Sequence, residues 1–201
     1  SCRYMGLSLK NPIIVASSSL TSTLDQIKEC EKEGAGAVVL KSLFEEQIYA
    51  EKIDKANQDI MQNYHPEAYE YIEQSGLNIG PEKYLALITD CKKNVSIPII
   101  ASLNCVTEIN WIDFASRIEK AGADALELNI SYITKDPFYT SDEIERKYLD
   151  IIRAVRSRIK IPVAVKIGPY FTSISRIARQ IAEAGANAIV IFNRFYQIDV
   201  N

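Results

Sequence analysis

Lysine, asparagine and serine side chains recur in this chain at one kind of place, the last residues of a short apolar run. Lys41 follows EKEGAGAVVL, Asn129 follows EKAGADALEL and Asn193 follows AEAGANAIVIF. A second phrase alternates with the first. NPIIVASS carries Ser17 and Ser18 after Ala16, IPIIASLN ends on Asn104, and IPVAVK ends on Lys166. Polar groups at the carboxyl ends of buried strands are where a βα barrel builds its active site. The plain alternative for Lys41 and Lys166 is a pair of snorkelling lysines, although buried Lys is rare unless paired. A single His makes a His-built metal centre or a Ser-His-Asp triad a poor fit.

The phrases also name the elements that position these groups. Gly34, Gly122 and Gly185 each stop a polar helix, as a left-handed C-cap does, and the Ala residues that follow allow close packing. A Pro opening a strand removes a donor that the ladder does not yet need. The runs IIVA, AVVL, IIAS, ALEL, VAVK and AIVIF are short, apolar and β-branched, as befits strands buried on both faces of a parallel sheet. Helices are predicted between them. Thr23 with Gln26, and Thr140 with Glu143, have capping-box spacing. Ile144, Tyr148, Ile151, Ile152, Val155 and Ile159 form one apolar stripe, and Ile174, Ile177, Ala178 and Ile181 another. Strand and helix alternate six times, so the expected fold class is α/β, a (β/α)8 TIM barrel with about six βα units present.

A closed barrel of roughly 250 residues needs one more pair of strands. The expectation is therefore a single barrel domain over 1–201, incomplete at its C-terminal end, with 45–95 as a lid-like insertion between the second and third strands. A complete open six-stranded sheet is the alternative. The insertion holds Tyr49, Tyr64, Tyr69, Tyr71 and Tyr84, expected as packing for the lid, and His65, expected at the surface or a helix start. Net charge is −3, with neither a basic patch for nucleic acid nor an apolar run able to cross a membrane. Cys2, Cys30, Cys91 and Cys105 form no Cys-x-x-Cys pair, which favours reduced thiols and a cytoplasmic setting. Cys105 is expected to be a buried hydrophobe, and the charge run 141–147 the solvated start of a helix.

Six ordered motifs, NPIIVASS after MGLSLKN, then VVLKS, IIASLN, LELNIS, VAVKIGPYF and IVIFN, resemble the FMN-binding barrel of the dihydroorotate dehydrogenase family. YHPEAYEYI and FNRFYQ are similar to its dihydroorotate dehydrogenase-like branch. The resemblance implies bound FMN. It places the backbone of Ala16, Ser17 and Ser18 against the flavin ring, and Lys41, followed by Ser42, beside flavin and substrate. It gives Asn104 and Asn129 as hydrogen-bonding partners of the flavin, with Asn129 and Asn193 facing substrate. Lys166 would lie at the N1/O2 edge, where a fixed cation stabilises the charge left by hydride arriving at N5.

The same family's cytosolic members carry Asn-x-Ser-Cys-Pro-Asn after the fourth strand, with the Cys as base. Here the segment is Asn129-Ile130-Ser131-Tyr132-Ile133-Thr134. Tyr132 stands at the base position and Thr134 replaces a substrate-binding Asn. A tyrosine of ordinary pKa ~10 is a poor base at neutral pH unless a cation lowers it, which leaves Ser131 as the competing acceptor. The family's Asn-Ser-x-Gly-Leu loop appears as Gln74-Ser75-Gly76-Leu77. The resemblance thus implies hydride transfer from a small, dihydropyrimidine-like CH–CH substrate to FMN, with an altered substrate shell. Catalytic roles fall to Lys41, Lys166 and either Tyr132 or Ser131. FMN binding by the 201-residue chain alone is expected to be weak, since the phosphate-holding loops of a barrel follow its last two strands. The expected partner is a small-molecule substrate, with a homodimer left open. Two other readings stand beside this one: a flavin-free, phosphate-binding barrel isomerase or synthase, and a non-catalytic degenerate barrel.

Overall fold

The computed structural model describes residues 1–45, 47, 80–104, 107–132 and 136–193. Among the described residues, six parallel strands run through its main sheet: β3 (Ile14–Val15), β4 (Ala37–Val39), β6 (Ile99–Asn104), β7 (Ala125–Asn129), β8 (Val163–Ile167) and β9 (Ala188–Ile191), hydrogen-bonded in that order, with a short seventh beside them. The six coincide with the six apolar runs of the sequence. β5 (Leu43–Phe44) resumes the path of β4 and pairs with the far end of β6. The sheet curls into part of a TIM barrel. Its outer face packs under α1 (Leu24–Lys32), α2 (Pro81–Asn94), α3 (Glu108–Lys120), α4 (Ser141–Arg156) and α5 (Ile174–Glu183).

Side-chain alternation along each strand separates two apolar clusters. Val38, Ile99, Ala101, Leu126, Leu128, Val163 and Val165 face the helices. Ala37, Val39, Ile100, Ala125 and Ala164 face inward and meet Met5 and Leu9. Those two belong to an antiparallel hairpin, β1 (Cys2–Tyr4) with β2 (Leu7–Leu9), that the sequence reading did not anticipate. Its two-residue turn places Met5 at φ 52° and Gly6 at φ 83°, the doubly positive pattern of a hairpin turn. The hairpin packs its apolar side chains against the inner face.

The repeated glycine phrase turns out to be a clamp. Each cap glycine has φ between 96° and 107°, and the third residue of each GAx triplet then pairs with the preceding strand. Gly36 N donates to Ile13 O at 2.7 Å, Asp124 N to Ile99 O at 2.9 Å and Asn187 N to Val163 O at 2.7 Å. Asp124 Oδ2 accepts in return from Ile99 N at 2.8 Å, and Asn187 Oδ1 from Val163 N at 2.9 Å. In the first copy Asn11 does this from outside the phrase, its Oδ1 accepting from Ile13 N at 2.9 Å. The triplet residue there has to be Gly36, because a Cβ would run into the Asn11 backbone. The leading acid of two copies secures the next loop. Glu31 accepts from Ser96 N at 2.7 Å, and Glu119 from Lys160 N at 2.6 Å.

Both expected N-caps form, with one difference. Thr140 and Glu143 make a full capping box. Thr23 accepts from Gln26 N, whereas Gln26 Oε1 turns to the Thr23 and Ser22 hydroxyls instead of the cap N–H. The described part of 45–95 contains α2, an ordinary barrel helix covering the sheet, and Tyr84 packs there rather than in a lid. Residue 46 and residues 48–79 of that insertion, with Tyr49, Tyr64, Tyr69, Tyr71 and His65, lie outside the described residues. Cys91 is buried, which pushes its thiol up to about 11, and Cys2 and Cys30 are free thiols. Cys105 lies outside the described residues. No described helix is long and apolar enough to cross a membrane.

Candidate active site

The inward parity that buries Ala37, Ile100, Ala125 and Ala164 becomes polar one or two steps further along each strand. Lys41 follows Val39, Ser102 and Asn104 follow Ile100, Glu127 and Asn129 follow Ala125, and Lys166 follows Ala164. Asn129 and Lys166 are register partners on β7 and β8. Asn193, just past β9, donates from Nδ2 to Asn129 Oδ1 at 2.6 Å, and its backbone N–H holds Ile167 O at 2.8 Å. Three residues distant in sequence thus meet at the carboxyl end of the sheet.

Beneath them lies a buried polar chain. Ser17 Oγ and Ser42 Oγ are 3.2 Å apart, Ser42 Oγ and Ser102 Oγ 2.7 Å, and Ser102 hydrogen-bonds the Glu127 carboxyl. Glu127 Oε1 is 4.0 Å from Lys166 Nζ and, among the described residues, accepts no hydrogen bond. Burial raises the Glu127 pKa; Lys166 and Ser102 pull the other way but lose. Ser42 N also donates to Ser17 Oγ at 2.9 Å, which ties the residue after Lys41 to the first strand.

The backbone at Lys41 leaves the ladder. Leu40 N still donates to Ile100 O, but Lys41 N donates to Thr21 O at 3.2 Å. Between the two pairing stretches of β6, the Tyr84 hydroxyl serves Ser102 in place of a strand, donating to its carbonyl at 3.0 Å and accepting from its N–H at 2.8 Å. Lys41 sits on this break, pinned on one side by Thr21 and on the other by Ser42.

Past β7 the chain turns toward α4. Ser131 is exposed, and Tyr132 N donates to Tyr148 Oη at 3.1 Å. Lys147 Nζ donates to Tyr132 Oη at 2.7 Å and lies 4.1 Å from the Tyr139 ring centroid. The Lys147 hydrogen bond and charge lower the Tyr132 pKa, with Asp136 opposing. Ser131, Tyr132, Tyr148, Gly168, Phe171 and Asn193 help line a cleft of about 180 Å³. The charge run 141–147 does open a helix, yet it is not simply solvated: Glu145 is 9% exposed and Lys147 folds onto the tyrosines.

The structure therefore brings Lys166, Asn129 and Asn193 together and sets Ser17, Ser42 and Lys41 beside the same strand ends. Asn104 closes β6. Ala16 is exposed after β3, while the Ser18 hydroxyl is spent capping a short helical turn at Leu20 N. Thr134 and residues 74–77 lie outside the described residues. Ser102, Tyr84 and Lys147 are residues that sequence reasoning gave no site role, and Glu127 figured there only as the one strand-end carboxylate open to a flavin-free isomerase or synthase. Strand alternation back from Asn104 and Asn129 would have found Ser102 and Glu127; nothing in the sequence announces Tyr84 and Lys147.

Among solved structures, similar folds occur in phosphonopyruvate hydrolase (TM-score 0.55, 16% identity, 91% of this chain and 58% of that one) and 2,3-dimethylmalate lyase (0.55, 14%, 88% and 57%). At such identities the likeness defines the class of fold, a TIM barrel. The family model for dihydroorotate dehydrogenase matches residues 1–200, and the chain belongs to that family. The catalytic subunit of dihydroorotate dehydrogenase B (NAD(+)) from Methanocella arvoryzae is 31% identical over all of this chain and 64% of its own length. The same subunit from Methanocaldococcus jannaschii is 30% identical over 94% of this chain and 60% of its own length. The chain thus spans about three-fifths of the curated relatives it matches.

Proposed function

We propose that this chain is part of an FMN-dependent oxidoreductase acting on a CH–CH bond of a small, dihydropyrimidine-like substrate. The observation that carries the proposal is the meeting of Lys166, Asn129 and Asn193 at the strand ends of a dihydroorotate dehydrogenase-family barrel. The donor set fits FMN. Ammonium groups and carboxamides suit the carbonyl-rich N1/O2 edge of a flavin ring, and the buried serine chain anchors the backbone beside Lys41. When bound, FMN supplies the hydride acceptor, with negative charge developing near N1.

Lys166 would hold its ammonium at that edge, where charge stabilisation is worth most. Lys41, Asn104 and Asn129 would orient the flavin, with the backbone of Ala16, Ser17 and Ser18 along the ring; Lys41, Asn129 and Asn193 would orient the substrate. Tyr132 or Ser131 would take the substrate proton. Tyr132 in place of a cysteine base, with Thr134 and Gln74 where the family carries Asn, supports a substrate other than dihydroorotate. Full-length protein is expected to purify with flavin absorbance. Protein that is colourless and takes up no added FMN would contradict the reading.

A further inference from the structure

We propose that Lys147 holds Tyr132 as the proton acceptor of the dehydrogenation, a reading that rests on the oxidoreductase function proposed above. The geometry is specific. Lys147 Nζ reaches Tyr132 Oη at 2.7 Å and stands 4.4 Å from that ring's centroid and 4.1 Å from that of Tyr139. The two rings meet edge to face at 6.3 Å. Behind them the Tyr148 hydroxyl holds the Tyr132 backbone at 3.1 Å. Tyr132 borders the cleft that Asn193 also lines, and Asn193 is bonded to Asn129. A tyrosine 36% exposed can return its proton to water after each cycle.

A cation at a phenol oxygen favours the phenolate, the form that works as a base. The step balances simply. One substrate C–H gives its proton to the Tyr132 oxygen, and its electron pair becomes the new C=C bond. The hydride leaving the adjacent carbon, with its two electrons, would be taken up by a flavin as oxidant. Lys147 stays an ammonium throughout. Among the described residues, the other titratable groups acting on the pair are Asp136, which opposes the phenolate, Tyr139, and Glu143, which is held by Thr140; Glu145 lines the same cleft and pairs with Arg176 at 3.5 Å.

The test uses full-length protein with Tyr132→Phe, Lys147→Met and Lys147→Arg. Tyrosinate ultraviolet absorbance is titrated in resting protein, the wild-type minus Tyr132→Phe difference isolating Tyr132. Anaerobic flavin reduction is followed against pH with dihydroorotate and dihydrouracil as probes. Tyr132→Phe is expected to lose about 10²–10⁴-fold in the reduction rate. Lys147→Met should move both the titration and the rising limb of the rate profile toward the free-phenol value of ~10, and Lys147→Arg should leave both near wild type. The proposal is overturned if Lys147→Met leaves the titration in place, if the rate limb does not follow it, or if Tyr132→Phe keeps full rate. Failure of both probes to reduce a bound flavin overturns the functional reading and the acceptor role with it. The titration, read without substrate, still reports the Lys147–Tyr132 coupling, so the two failures are told apart.

Discussion

Glu127 places a carboxyl group on the inner face, its side chain 6% exposed and one oxygen without a hydrogen bond among the described residues. Its pKa in the folded chain is raised by burial. The folded state therefore holds the proton more tightly than the unfolded chain, in which a glutamate titrates near pH ~4.3. The resulting stability is fully present in acid below that value and declines as pH rises through the folded pKa. Glu127→Gln should remove this decline, so the variant gains on wild type from acid to neutral pH in chemical denaturation. A variant that instead loses ground at neutral pH would show an ionised Glu127 stabilising Lys166. Lys166→Met should cost about 10²–10³-fold in flavin reduction, as loss of one charge-stabilising group does. A stopped-flow rate equal to wild type would remove Lys166 from the mechanism.

At the scale of elements, the break between β4 and β5 carries the most consequence. Tyr84→Phe leaves the Ser102 N–H and carbonyl with no partner from α2, at a cost of about 1–3 kcal/mol by denaturant melting. Thr140→Ala removes the α4 capping box, at about 1 kcal/mol. Undisturbed melting of the Tyr84→Phe protein would mean that water or strand repair replaces the hydroxyl. These contacts explain what was legible in advance. Strand ends, cap glycines and helix stripes follow from local periodicity, so Lys41, Asn104, Asn129, Lys166 and the six strands could be read from residue order. Lys147 and Tyr84 could not, because each acts across a contact that only the folded packing of a helix on a strand or turn creates. The hairpin of β1 and β2 was missed for another reason: three-residue strands joined through Met5 at positive φ carry almost no pattern.

The whole molecule divides along the barrel axis. The N-terminal ends of the strands are tied by Asn11, Glu31, Glu119, Asp124 and Asn187, all engaged with backbone of a neighbouring segment. At the carboxyl ends Asn129, Lys166 and Asn193 gather, and Asn193 lines the cleft. The ties that hold the fold and the proposed chemistry thus lie at opposite ends, as in barrels generally. At this scale the proposed function is that of a dihydroorotate dehydrogenase-family barrel with flavin-facing residues like the family's and a changed substrate shell. The most direct test is the visible spectrum of full-length protein during anaerobic addition of dihydroorotate. The expected result is flavin bands that dihydroorotate bleaches only slowly. Bleaching at the rate of a working dehydrogenase would contradict the changed substrate shell, and a spectrum with no flavin bands would contradict the claim at its root.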